Sequence, residues 1–185
     1  MRKLIYSMGV SLDGYIVGPD GKFDWAAPDE ELHRFHNEQA RAVGVDLYGR
    51  RLYEVMRVWA GIGDDDDPHM AEFARIWKAT PKLVFSRTLD RVEGPQTTLA
   101  DTDPVTAVRR LKEEDGGGLL AVGGAGLAAA LIDAGLVDEY QLFVNPVIVG
   151  GGTPFFPNLD HSVSLKLLET RTFGSKVVYM RYEAT

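Results

Sequence analysis

The sequence predicts an α/β protein with a largely parallel sheet, built as one domain over residues 1–185. Three observations carry this. Strand-like apolar runs alternate with helix-like segments along the chain. Two of the helix-like segments open on Asp-Pro, Asp67-Pro68 and Asp103-Pro104, an N-cap followed by a proline whose missing N–H is not needed there. The continuous apolar run of residues 119–122 leads straight into glycines and a helix, as a strand covered on both faces does.

In chain order, residues 4–8 read as the first strand. A loop follows around Gly14, Gly18, Pro19 and Gly21, where glycine permits positive φ and proline interrupts pairing. Residues 29–43 read as a helix with Leu32, Phe35 and Val43 as a loose apolar stripe, and residues 46–49 as a short strand. Leu52, Val55, Met56 and Trp59 then recur at helical spacing. Met70, Phe73 and Trp77 give the helix after Asp67-Pro68 its buried face. Residues 82–86 form the third strand. Val105, Val108 and Leu111 line the helix after Asp103-Pro104. Leu127 and Leu131 line the next helix, which Gly135 terminates. Residues 140–149 are strand-like. Val163, Leu165 and Leu167, then Val178, Met180 and Tyr182, alternate with polar residues, and the two segments are too close in sequence for a parallel crossover. They are expected to form an antiparallel hairpin.

Composition narrows the function. The chain is 45% hydrophobic and 25% charged, as in ordinary globular proteins. It has no cysteine, which excludes disulfides, Cys-type zinc sites, iron–sulfur clusters and a thiol nucleophile. Its formal charge of −7 disfavours a nucleic-acid or anionic-membrane partner. With neither a signal-peptide pattern nor a long apolar stretch, the expectation is a soluble cytoplasmic protein with no membrane partner.

The strongest chemical signal is the passage Gly123-Gly124-Ala125-Gly126-Leu127. A strand ends in two glycines, so the backbone is open to a ligand, and the helix beyond presents unpaired N–H groups to an anion such as a dinucleotide pyrophosphate. The alternative is a tight strand-to-helix turn without a ligand. Gly49-Arg50-Arg51 repeats the strand–glycine–helix pattern, and an anion would offset the unfavourable placement of arginines at a helix start; the alternative is a pair of solvated arginines. Ser86-Arg87-Thr88 ends the third strand with groups suited to the 2′-phosphate of NADPH. All three passages lie where open α/β sheets bind ligands. Asp13 is read either as a proton relay or as a turn carboxylate bonding backbone before Gly14. Glu31, in an acidic helix start, is the second candidate acid, and Trp25 is either a pocket wall or core. The acidic run at residues 64–67 reads as a solvated loop, His33 and His36 as surface or core-edge histidines, and no metal site is expected.

Taken with Val122-Gly123-Gly124-Ala125-Gly126-Leu127, the segments at residues 131–139, Asn145-Pro146-Val147-Ile148-Val149-Gly150-Gly151-Gly152 and Pro154-Phe155-Phe156 resemble the dihydrofolate-reductase-like family, in particular stand-alone relatives of the reductase domain of the bifunctional riboflavin-pathway deaminase–reductase. The motif at residues 11–16, Tyr48-Gly49-Arg50 and Phe85-Ser86-Arg87 add to the likeness. The resemblance implies a three-layer fold on a mixed, mostly parallel sheet of about eight strands. It implies an NADPH-dependent reductase, typically a homodimer. Cofactor contacts would come from Gly49, Arg50, Ser86, Arg87 and residues 123–127, with Asp13 or Glu31 handling the proton. Tyr15, Trp25, Phe35, Pro146 and Gly151 would surround a small substrate bearing a C=N or C=O. The zinc deaminase half is absent, since its Cys ligands are absent. A non-catalytic nucleotide-binding module and a dihydrofolate reductase proper are the alternatives.

Overall fold

The computed structural model describes residues 1–114 and 116–185. The central sheet contains β1 (Leu4–Ser11), β3 (Val43–Gly49), β4 (Lys82–Phe85), β5 (Thr97–Leu99), β6 (Leu119–Gly123), β7 (Glu139–Asn145), β9 (Leu165–Thr172) and β10 (Val178–Ala184). Two short strands, β2 (Tyr15–Val17) and β8 (Thr153–Pro154), pair with each other outside it. The order across the main sheet is β5-β4-β3-β6-β1-β7-β10-β9. From β5 to β7 every neighbouring pair is parallel, whereas β10 runs antiparallel to both β7 and β9. The expected mixed sheet with a C-terminal antiparallel hairpin is therefore present.

Alternation along the strands sends side chains to two helical layers. Leu4, Tyr6, Val10, Leu47, Leu120 and Val122 pack with helices α4 (Pro104–Glu113) and α5 (Ala125–Asp133) through Val108, Leu127, Ala128 and Leu131. On the opposite face, Phe143 and Tyr179 meet Leu32 and Phe35 of α1 (Glu30–Ala40). Tyr48 of β3 accepts a 3.1 Å hydrogen bond from the Trp77 indole of α3 (Pro68–Ala79). Each large apolar side chain buried this way stabilises the fold by about 1.5–3 kcal/mol relative to exposure. Helix α2 (Arg50–Met56) and a 3₁₀ turn at Arg57–Ala60 follow β3 directly. No described helix is long and apolar enough to cross a membrane.

The capping signals act as their chemistry dictates. Asp67 accepts from the N–H groups of His69 and Met70, Asp103 from that of Thr106, and Asp29 from that of Leu32. Gly135 closes α5 at φ +64°, with its N–H on the Ile132 carbonyl and the Leu136 N–H on that of Leu131.

Several expected boundaries differ. The loop around Gly14 contains β2, whose partner β8 is remote in sequence. Helix α1 stops at Ala40, so Val43 begins β3 rather than continuing a helical stripe. Strand β7 ends at Asn145, before the proline that cannot continue a ladder. Val55, expected on a buried face, is exposed, as is most of the edge strand β9. The strand at residues 119–122 is covered on the α5 face only. On the other face Leu119 and Ala121 remain partly exposed.

Candidate active site

The parallel arrangement brings the carboxyl ends of β1, β3, β4, β6 and β7 to one edge of the sheet. Ser11, Gly49, Ser86, Gly123 and Asn145 therefore share that edge, the place where open α/β sheets hold ligands.

At its centre, β6 passes into α5 through Gly123 and Gly124. A Cβ on Gly123 would lie 2.4 Å from Leu52 Cδ2, so this glycine lets α2 approach the strand. Gly124 has φ +89° and ψ 127°, a conformation that L side chains rarely adopt. It is the N-cap of α5, and no side chain caps that helix start. A Cβ on Gly126 would meet nothing within 4 Å, so the first turn of α5 is open. Unpaired backbone N–H groups at such a terminus attract anions.

The basic groups divide in two. Arg50 donates to Glu54 (2.7 Å) and to Thr88 Oγ1 (2.8 Å), which pins α2 to the loop after β4. The exposed Arg87 has no ion-pair or hydrogen-bond partner among the described residues. Ser86 Oγ accepts from the N–H groups of Thr88 and Leu89 and so shapes this loop. Between α2 and the loop lies an open pocket of about 580 Å³ with Tyr53, Arg57, Thr88 and Arg91 on its walls. A second pocket, about 360 Å³, lies by Ile132, Tyr140 and Phe156 and is separate from the glycine turn.

Two loops cover the ends of β1 and β7 and are fastened together. Asp13 accepts from the N–H groups of Val149 (3.1 Å) and Gly150 (2.8 Å). The Leu12 N–H donates to the Val147 carbonyl, and the Phe155 N–H donates to that of Gly14, both at 2.8 Å. Beneath them Tyr6 donates to the Phe155 carbonyl at 2.8 Å, and its ring stacks on Phe155 at 4.3 Å. A Cβ on Gly152 would lie 2.0 Å from the Val17 carbonyl oxygen, so only glycine permits this approach. Hydrogen bonds from Ser11, Gly150 and Val149 hold the Asp13 carboxyl below the usual range. The same bonds fasten the loop after β1 to the loop after β7.

Glu31 is also engaged. It accepts from the Gly174 N–H (2.9 Å) and from Arg171 (3.1 Å), and these contacts lower its pKa. Its position ties α1 to the β9–β10 turn. Phe35 stands in the same assembly, with ring centroids 5.0 Å from Tyr179 and 5.2 Å from Phe173, and reads as packing. Trp25 lies on a 3₁₀ turn at Asp24–Ala26. Ala26 of that turn is 3.4 Å from where a Cβ on Gly9 would be, which places the turn over β1. The Trp25 Nε1 is buried without a hydrogen-bond partner among the described residues. Tyr15 donates its N–H to Ser11 Oγ (2.9 Å), and Pro146 and Gly151 stand on the latched loop.

Asn145, which heads one of the resemblance motifs but carries no site role there, is buried at the end of β7. It donates to the Phe143 carbonyl (2.9 Å), and the Asn-Pro pair was its signal.

An α/β sheet of this order, with a glycine turn opening a helix at the carboxyl edge of its parallel strands, is the dihydrofolate-reductase-like fold. The dihydrofolate reductase of Enterococcus faecalis, solved with NADP(H), has this fold at a TM-score of 0.64 and 18% identity, over 99% of this chain and 96% of that one. A putative riboflavin biosynthesis protein from Shewanella sp. PV-4 superposes with a TM-score of 0.79 at 22% identity, covering 100% of this chain and 99% of its own. The sequence pattern of the RibD C-terminal domain matches residues 2–179. The Bacillus subtilis (strain 168) protein YyaP is 33% identical over 183 residues, 98% of this chain and 94% of its own length. The chain belongs to the RibD C-terminal domain family.

Proposed function

We propose that the protein is an NADPH-dependent reductase acting on a C=N or C=O of a small heterocyclic or sugar-linked substrate, of the class of 5-amino-6-ribosylaminouracil phosphate. The observation that carries this reading is the uncapped start of α5 behind Gly124, which shares a sheet edge with Arg87, a side chain without a partner among the described residues. The donor set fits a phosphorylated dinucleotide. Backbone N–H groups at residues 125–127 suit the pyrophosphate, and Arg87, with Ser86 and Arg50 beside it, suits a 2′-phosphate. Gly49 leaves the neighbouring strand end without a side chain.

NADPH bound there supplies a hydride. The chain's own part is to orient the two reacting carbons and exclude water. The loop pair latched by Asp13 serves water exclusion, and Tyr15, Trp25, Phe35, Pro146 and Gly151 are the residues that would surround the substrate. Because the carboxylates of Asp13 and Glu31 are both bound and held ionised, the proton that completes the reduction comes from solvent. That same observation favours a second reading, a nucleotide-binding module without catalysis. The exposed Leu165, Leu167 and Leu168 on the edge strand β9 support pairing as a homodimer.

The test is NADPH oxidation, read by absorbance, over a panel of cyclic imines, sugar-linked carbonyls, dihydrofolate and aminouracil derivatives. Saturable turnover of one class is expected. Tight NADPH binding with no turnover on any member selects the binding module.

A further inference from the structure

We propose that Leu52 and Leu127 are positioning residues for the dinucleotide. Each leucine rests on the glycine that opens the other's helix, and this reciprocal clasp fixes the distance between the two phosphate-binding parts of the site. The inference rests on the reductase reading, whose cofactor it takes as the ligand.

The clasp begins in the register of the sheet. Tyr48 of β3 and Gly123 of β6 are direct partners on neighbouring parallel strands, so α2 and α5 leave the sheet beside each other at one level. Each helix carries a leucine three residues after its N-cap glycine, Leu52 after Gly49 and Leu127 after Gly124. The two leucines cross over. A Cβ on Gly123 would lie 2.4 Å from Leu52 Cδ2, and one on Gly124 would lie 3.7 Å from Leu52 Cβ. A Cβ on Gly49 would lie 3.7 Å from Leu127 Cβ. The leucines also belong to opposite faces of the sheet, as the alternation of Leu47 and Tyr48 along β3 requires. Leu127 is buried with Leu47, Val122 and Leu131, whereas Leu52 packs on Tyr48, Tyr53 and Val84.

Helix α2 is bound to the loop after β4. Arg50 donates to Thr88 Oγ1 (2.8 Å). The buried Tyr53 hydroxyl donates to the Glu93 carbonyl (3.0 Å) and accepts from the Glu93 N–H (2.7 Å). Helix α2 and residues 86–93, with Ser86 and Arg87, are therefore one block, and the open start of α5 is the other. Leu52 and Leu127 seat the first block on the second.

Gly124 and Arg87 follow β6 and β4, which are two strand spacings apart, about 10 Å. In a 2′-phosphorylated dinucleotide one ribose joins the 2′-phosphate to the pyrophosphate, so the ligand reaches both blocks at one spacing only. Its second contact is an intramolecular event, and that advantage is lost when the geometry drifts. Shortening Leu52 leaves Arg87 and the α5 N–H groups in place and removes the spacer between them.

The test compares two probes, NADPH, which spans both blocks, and adenosine 2′-monophosphate, which reaches the Arg87 block alone. Leu52→Ala is expected to weaken NADPH about tenfold and to leave adenosine 2′-monophosphate within about twofold of the wild type. Leu52→Met, close in volume, is expected to restore NADPH binding. A merely structural role would lower the denaturation midpoint without moving the ratio of the two affinities. Leu52→Val takes the place of the alanine variant should that one not fold. An unchanged affinity ratio, or a methionine variant as weak as the alanine one, overturns the clasp and leaves the reductase reading standing. A wild type that binds adenosine 2′-monophosphate but not NADPH refutes the reductase reading and the clasp with it. NADPH binding with no adenosine 2′-monophosphate binding removes the second block from the site, and the clasp falls alone.

Discussion

Replacing His36 by glutamine is expected to change how stability depends on pH, by an amount the structure sets. The His36 ring is packed on Phe143 and its pKa is pushed from 6.5 to about 4. A folded-state value below the unfolded one means that the unfolded chain takes up the proton first. Stability is therefore complete above pH 6.5 and is lost as pH falls toward 4. The shift of about 2.5 units corresponds to about 3 kcal/mol in full. Linkage gives about 2 kcal/mol lost by pH 5 and about 3 by pH 4. That is a large share of a typical folding stability of about 5–15 kcal/mol. Asp46 titrates in the same window with the opposite sign. Its carboxyl is raised to about 6 by burial, partly offset by Tyr48 and Lys82, so it destabilises the fold as pH rises from 4 to 6. Both proteins contain Asp46, so the difference between them isolates His36. Urea denaturation followed by tryptophan fluorescence at pH 7.5, 5 and 4 measures this difference. The wild type should lose about 2 kcal/mol more than His36→Gln between pH 7.5 and 5. Parallel pH profiles would refute the buried neutral histidine.

Other expected outcomes follow from particular contacts. Gly124→Ala forces an L residue to φ +89° and should destabilise the protein by about 1–3 kcal/mol in urea titration while abolishing NADPH binding. Arg87→Ala should lower the NADPH-to-NADH affinity ratio by about tenfold or more, because a charge-assisted contact is lost for one cofactor only; an unchanged ratio removes Arg87 from the 2′-phosphate site. Asp13→Asn cannot accept from both Val149 and Gly150, so hydrogen exchange at those two amides should quicken. If Asp13 is a latch, the variant's pH–rate profile keeps its shape; loss of a basic limb would instead mark a proton donor.

The sheet and its strand-to-helix turns were legible because their signals are local. Asp67-Pro68 and Asp103-Pro104 announce helix starts through capping chemistry, and a glycine pair between an apolar run and a helix can serve few purposes. The roles of Asp13 and Glu31 were not legible in the same way. Both sit in local contexts compatible with an acid, and what decides their state is an N–H or guanidinium more than 130 residues away. The β2–β8 pair is hidden for the same reason, since strands this short have no periodicity and only a remote partner defines them. His36 reads as a surface or core-edge residue until the packing of α1 places its ring on Phe143.

The central claim is that the uncapped start of α5 and the strand-end arginine hold a phosphorylated dinucleotide. Its most direct test is fluorescence titration of the wild-type protein with NADPH and with NADH, reported by Trp25, Trp59 and Trp77. Saturable quenching that favours NADPH, and that disappears in Gly124→Ala, is the predicted result. Equal affinity for the two cofactors, or no saturation with either, would contradict it.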